Sequence, residues 1–182
     1  MGLATFSYVF SGGSQGLIAL INQILWVVVT PIIATGIGLA YAVLIDKSRA
    51  EKVLKVFVFM PVAISFVGAS IILKFFYDYQ QGAQIGLLNQ IVVWFGGQPV
   101  NWLQTSPLNN LLLIVILIWT QTGFAMLLLS AAIKGIPDEQ LEAAELDGAN
   151  AYERFRNVIV PGIRPTIIVT WITIAIVSLK VY

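Results

Sequence analysis

Polar and apolar positions fall into long separate blocks, and the blocks predict the elements. No charged residue occurs between Met1 and Ile45. The opening GLATFSYVFSGGSQG is loose and rich in Gly and Ser, and strong hydrophobicity runs from Ile24 to Ile45. A first membrane span is expected over about residues 22–45, since about 20 apolar residues cross a bilayer. Pro31 lies inside it, as a kink that neighbouring membrane helices tolerate. Ala34, Gly38 and Ala42 stand four apart and would admit another helix closely. A charged hairpin over 46–55 leads to a second span, 53–76, with Pro61 inside it. The connection 77–107 holds a short amphipathic stretch, IGLLNQIVVWF. A third span covers 108–133, a polar segment 134–163, and a fourth apolar run 164–182. That last run has 14 uncharged residues from Thr166 to Leu179, below the minimum of about 17 for a span. The chain therefore reads as a piece of a longer protein.

Composition narrows the function classes. Hydrophobic residues make up 58% and charged residues 10% of the 182-residue chain, against about 25% charged in a soluble domain. Mean hydropathy is +0.88. The picture is an all-α integral membrane protein, a multi-span helical bundle. A net charge of +1 without a basic stripe speaks against nucleic acid as a partner. Cysteine and histidine are absent, which removes thiolate chemistry, imidazole bases and the common zinc sites. No Asp or Glu interrupts an apolar run, so an intramembrane hydrolase or lipid transferase would lack a titratable group at its reacting atom. No metal and no cofactor are expected.

Basic residues set the orientation. Lys47, Arg49, Lys52 and Lys55 mark the 46–55 hairpin; Lys134, Arg154, Arg156 and Arg164 mark 134–164; residues 77–106 contain neither Lys nor Arg. Basic loops stay cytoplasmic, so 46–55 and 134–164 are expected inside and 77–107 outside. Trp94 and Trp102, with Phe75, Phe76, Tyr77 and Tyr79, suit a headgroup belt, an aromatic sugar platform being the alternative. Asn22, Thr120, Gln121 and Thr122 are polar groups inside spans, candidates either for a substrate path or for bonds between helices. Lys74 and Lys180 read as cations snorkelling to an interface.

The segment 136–165 is the longest polar stretch and reads as helix, turn, helix. Pro137 suits a first helical position, and Asp138 and Glu139 oppose the helix dipole. Asp147-Gly148 is a natural stop, and Asn150 with Glu153 forms a capping-box pair for a second helix. That helix, AYERFRNVIV, would present Tyr152, Phe155, Val158 and Ile159 on one side, and Pro161 and Pro165 would set the path into the last span. Ala143 and Ala144, flanked by Glu142 and Glu145, lack bulk. Such a surface fits a groove on another protein or is simply solvated, and the residues alone leave both readings open.

EAAELDGANAYERFRNVIVP resembles the EAA loop of bacterial ATP-binding-cassette import permeases. That pattern is EAA, three residues, Gly, nine residues, then Ile-x-Leu-Pro. Here it falls on Glu142-Ala143-Ala144, Gly148, Val158, Val160 and Pro161, with Val158 and Val160 as the two apolar departures. IPDEQ and DGAN are similar to the carbohydrate-importing subgroup, and GLLNQ and PVNW of the connection extend a looser likeness over nearly the whole chain. The resemblance implies a multi-span bundle in the bacterial cytoplasmic (inner) membrane with a cytoplasmic helix-turn-helix coupling loop. It implies ATP-binding-cassette ATPase subunits, a second homologous permease subunit and an extracytoplasmic solute-binding protein as partners. Carried over by position, Glu142 makes polar contacts to the ATPase, and Ala143 and Ala144 allow close seating. Gly148 forms the turn with Ala149 beside it, and Pro161 fixes the junction to the next span. No GxxxxGK[ST] sequence occurs, so ATP hydrolysis is expected on a separate subunit. A passive channel or membrane scaffold subunit is the alternative, and ATP dependence of transport separates the two.

Overall fold

The computed structural model describes residues 15–46, 48–64, 66–79 and 85–180. The Gly/Ser-rich opening, Lys47, Ser65, the stretch 80–84 and the last two residues of the fourth run lie outside the described residues. The architecture is all-α: among the described residues no strand forms, and the sole β feature is a bridge between Tyr79 and Ile85.

Helix α1, Gln15–Ile45, is a single 31-residue helix that continues through a buried Pro31. Helices α2, Glu51–Ala63, and α3, Phe66–Tyr77, follow. Where the hydropathy pattern predicts one continuous span over 53–76, these two helices meet at an angle of 95°. The cause is local. Pro61 removes a ladder donor near the end of α2, and Ile64 then takes an extended conformation, φ −83° and ψ 128°. The short helix α4, Leu87–Trp94, lies in the connection, and α5, Leu108–Lys134, is 27 residues long. Helices α6, Asp138–Leu146, and α7, Ala151–Gly162, form the polar hairpin, and α8, Arg164–Lys180, leaves it at 67°. By length and composition α1 and α5 can each cross a membrane, and up to four crossings result if each bent pair counts as one.

Helices α1, α5 and α8 form the centre, with α2 laid against α5. Contacts at both ends show that α1 and α5 run in the same direction and α8 runs opposite. The small residues of α1 face α5: Ala34 and Ala42 are fully buried, and a Cβ placed on Gly38 would stand 2.6 Å from Ala125 Cβ. Gly123 plays the same part towards α2, where a Cβ would stand 2.5 Å from the Val58 carbonyl oxygen. Lipid tails are as apolar as leucine, so close backbone approach of this kind is a main source of helix cohesion in a bilayer. One apolar cluster gathers Trp26, Ala34, Ile114, Leu117, Ile118, Ala125 and Ile174, and a second gathers Ala42, Met126, Leu129 and Ile163.

Candidate functional site

The hairpin of α6 and α7 stands at the end of the bundle where α1 and α5 terminate. Pro137 is the residue before α6 and not its first turn: its ψ of 134° is extended, and Asp138 opens the helix. Fixed φ with a free ψ lets proline serve on either side of this boundary, which is why the sequence leaves the register one residue open. Asp138 and Glu139 then occupy the first turn, against the positive end of the dipole.

The turn is a Schellman motif. Gly148 donates its N–H to the Glu145 carbonyl at 3.0 Å, and Ala149 donates to the Ala144 carbonyl at 3.0 Å. Gly148 sits at φ +84°, in the left-handed region that residues with a Cβ occupy at a cost. Asn150 and Glu153 close the capping box in both directions: Glu153 N–H donates to Asn150 Oδ1 at 3.0 Å, and Asn150 N–H donates to Glu153 Oε2 at 2.8 Å. Arg154 Nη1 reaches Glu145 Oε2 at 2.5 Å and ties the two arms together. The hairpin is thus held by its own backbone and caps.

Its outer face carries Glu142, Ala143 and Leu146, all exposed, whereas Ala144 and Ala149 are half-buried at the turn. Leu146 is 89% exposed, the most exposed large hydrophobic side chain among the described residues, and it borders a shallow depression with Glu142 and Glu145. Its only signal in the sequence is its place one turn after Glu142 on a charged helix. Tyr152 is 66% exposed and separates from the half-buried Phe155, Val158 and Ile159. Residues Phe155–Ile159 form a π-helical turn, whose wider winding shifts the register of the faces. Beneath, Ile136 and Ile159 pack with Ile163, Leu129 and Met126, so the foot of the hairpin is joined to the bundle core. Pro161 is exposed in the last turn of α7, two residues before the bend into α8.

A second feature lies under the hairpin. Lys55 Nζ of α2 bonds Asp46 Oδ1 at 2.7 Å, Glu51 Oε1 at 2.8 Å and Ser130 Oγ of α5. Ser130 Oγ donates to Asp46 Oδ1 at 2.7 Å, and Lys134, the last residue of α5, pairs with Glu51. The network joins the end of α1, the start of α2 and the last turn of α5. Lys134, then Lys55, hold the Glu51 carboxyl down at about 2. Asp46, Glu51 and Lys55 appear in the sequence only as hairpin charges; Ser130 gave no signal, being one serine in a long apolar run.

The four polar residues proposed from within the spans do not come together. Asn22 meets Asn110, whose Nδ2 donates to Asn22 Oδ1 at 3.1 Å while its Oδ1 accepts the Trp26 indole N–H at 2.5 Å. These bonds lie at the far end of the bundle from the hairpin. Thr120 and Thr122 spend their hydroxyls on the Leu117 and Ile118 carbonyls, and they line different hollows on opposite sides of α5. Gln121 is half-buried between them. In the connection, buried Asn89 holds the chain: it accepts from Val100 N–H at 2.9 Å and from the Trp102 indole at 2.8 Å, and donates to the Asp78 and Val100 carbonyls. Trp102 therefore turns inward, while Trp94 remains 84% exposed. Among the described residues no three metal-ligating side chains gather.

Comparison with known proteins adds a family, two relatives and a solved structure. Residues 32–181 match the family model described as binding-protein-dependent transport system inner membrane component. The whole chain is 48% identical to the alpha-glucoside transport system permease protein AglF of Rhizobium meliloti, covering 54% of that relative. It is 46% identical to the osmoprotective compounds uptake permease protein GgtC of Synechocystis, covering 66% of it. The chain thus spans between half and two thirds of these relatives. The fold matches a chain of a bacterial transporter that imports the acidic polysaccharide alginate, with a TM-score of 0.83 at 23% identity over 100% of this chain and 63% of that one.

Proposed function

Because the chain belongs to the binding-protein-dependent transport system inner membrane component family, we propose that it forms part of the translocation path of an ATP-driven importer. The α6–α7 hairpin is its coupling element. The observation that carries this reading is the hairpin itself: a rigid, self-capped projection that exposes Glu142, Ala143 and Leu146 while its foot is joined to the bundle core. A merely solvated loop has no need of an 89% exposed leucine, whereas a groove on a partner gives it a place.

In this reading a separate cytoplasmic ATPase receives the hairpin, with Glu142 meeting its polar rim and Ala143 allowing close approach. Ala144 and Ala149 close the turn that Gly148 makes, and Pro161 fixes the departure of α8. A second homologous permease subunit completes the path, and an extracytoplasmic binding protein delivers the solute. The hairpin side and the 46–55 loop are cytoplasmic, and 77–107 faces outward, following the distribution of Lys and Arg. The alpha-glucoside in the name of one relative supports a carbohydrate as solute. Asn22, Thr120 and Thr122 act chiefly as bonds within and between helices; Gln121 is the remaining candidate for the path.

The test is solute uptake and ATP hydrolysis by the intact transporter in proteoliposomes. Glu142→Lys is expected to abolish solute-stimulated ATP hydrolysis at normal expression. Uptake that continues without ATP, or is untouched by Glu142→Lys, would favour the passive channel.

A further inference from the structure

Helix α3 has two unlike faces. Ile71, Ile72 and Phe75 point outward and are exposed, as lipid-facing residues are. The other face, Ala69, Leu73, Lys74 and Tyr77, borders a crevice of about 300 Å³ between α1, α3 and α5, roofed by Leu103 of the connection. Lys74 is exposed and stands at the edge of the crevice. It makes no ion pair among the described residues, and Asp78, one turn further on, does not reach it.

The walls are hydrocarbon: Leu73, Leu113, Ile116 and Leu117 provide most of them. The polar groups nearby are largely committed. Thr120 donates to the Leu117 carbonyl at 3.0 Å, and the Trp26 indole donates to Asn110. Lys74 and the Tyr77 hydroxyl remain without a side-chain partner among the described residues. Trp26, Ser70, Lys74, Tyr77 and Thr120 bring polar atoms to the lining, but most of its surface is hydrocarbon, which suits an acyl chain better than a sugar. An apolar slot with one unpaired cation at its border complements a ligand with a hydrocarbon body and an anionic head.

We propose that this crevice is a binding site for an anionic phospholipid, with an acyl chain along Leu73, Leu113 and Ile116 and the phosphate on Lys74 and Tyr77. The geometry asks nothing of the coupling hairpin, so the site stands or falls apart from the transport reading.

The experiment is lipid retention by the purified protein, measured by native mass spectrometry after exchange into phosphatidylcholine containing phosphatidylglycerol of matched chains. Wild type is expected to retain phosphatidylglycerol selectively, and Lys74→Gln to lower that selectivity about fivefold, the effect of one cation near a membrane surface. Lys74→Arg keeps it. Phosphatidylglycerol bearing a photoreactive acyl chain should cross-link to Leu73, Leu113 or Ile116. Unchanged selectivity in Lys74→Gln would overturn the headgroup assignment. Cross-links confined to Ile71, Ile72 and Phe75, or no retained phospholipid because another protein segment fills the crevice, would overturn the site.

Discussion

The ammonium of Lys55 lies 2.7 Å from Oδ1 of Asp46, and that same oxygen accepts the Ser130 hydroxyl at 2.7 Å. One carboxylate oxygen therefore holds the end of α1 to both α2 and α5. The other, Asp46 Oδ2, is buried without a partner among the described residues. Removing Lys55 leaves this carboxylate largely uncompensated, whereas removing the charge on Asp46 does not. Lys55→Met is expected to destabilise the protein by about 2–3 kcal/mol and Asp46→Asn by about 1 kcal/mol, with the double variant less affected than the sum. Thermal unfolding in detergent of the two single variants and the double variant checks the cycle.

Glu51 gives the network a pH signature. It precedes the apolar run that begins at Val53, and its carboxyl is lowered from 4.5 to about 2 by Lys134 and Lys55. A depressed folded-state pKa contributes stability that is complete above 4.5 and is lost as pH falls towards 2. The unfolding temperature should therefore be insensitive to Glu51→Gln-dependent slope between pH 7 and 5. Below pH 4.5 wild type should fall more steeply than Glu51→Gln, and scans at stepped pH measure it.

Gly148 has open space around the place of a Cβ, so only its φ of +84° resists substitution. Gly148→Val, β-branched at positive φ, should cost about 1–2 kcal/mol of hairpin stability and most of the uptake. Gly148→Asn, which tolerates the left-handed region, should keep much of both. Uptake assays at matched expression distinguish strain from steric exclusion, since both side chains have room.

Under the proposed coupling, Leu146 separates binding from folding. At 89% exposure its truncation removes almost no internal packing. Leu146→Ala should leave the unfolding temperature within about 1 °C of wild type, as surface substitutions do. It should lower solute-stimulated ATP hydrolysis about tenfold, the effect of losing an anchor in a partner's pocket. A parallel loss of stability would show that the leucine is structural.

Long-range pattern was legible in the sequence, and local geometry only where a residue type dictates it. The Ala34, Gly38 and Ala42 spacing announced a close helix seam because only small residues permit it, but not that α5 is the partner. Asn150, Glu153 and Gly148 announced the hairpin because caps and left-handed turns have few chemical solutions. The break at Ile64 was hidden, since hydropathy averages over residues and Pro61 alone does not say whether a helix bends or ends. The grouping of Asp46, Lys55 and Ser130 was hidden too, because hydrogen bonds over 75 and 84 positions leave no periodic trace.

The seam between Gly38 and Ala125 has a mechanical meaning. Interfaces built from long side chains can slip by rotamer hops, and so absorb small motions. Glycine and alanine have no rotamers to offer, and at this spacing the two backbones form a joint without slack. Helix α1 is therefore expected to move with α5. Under the proposed coupling, a push delivered at Lys134 would reach Asn110, about 36 Å away along the helix, and carry Asn22 of α1 with it.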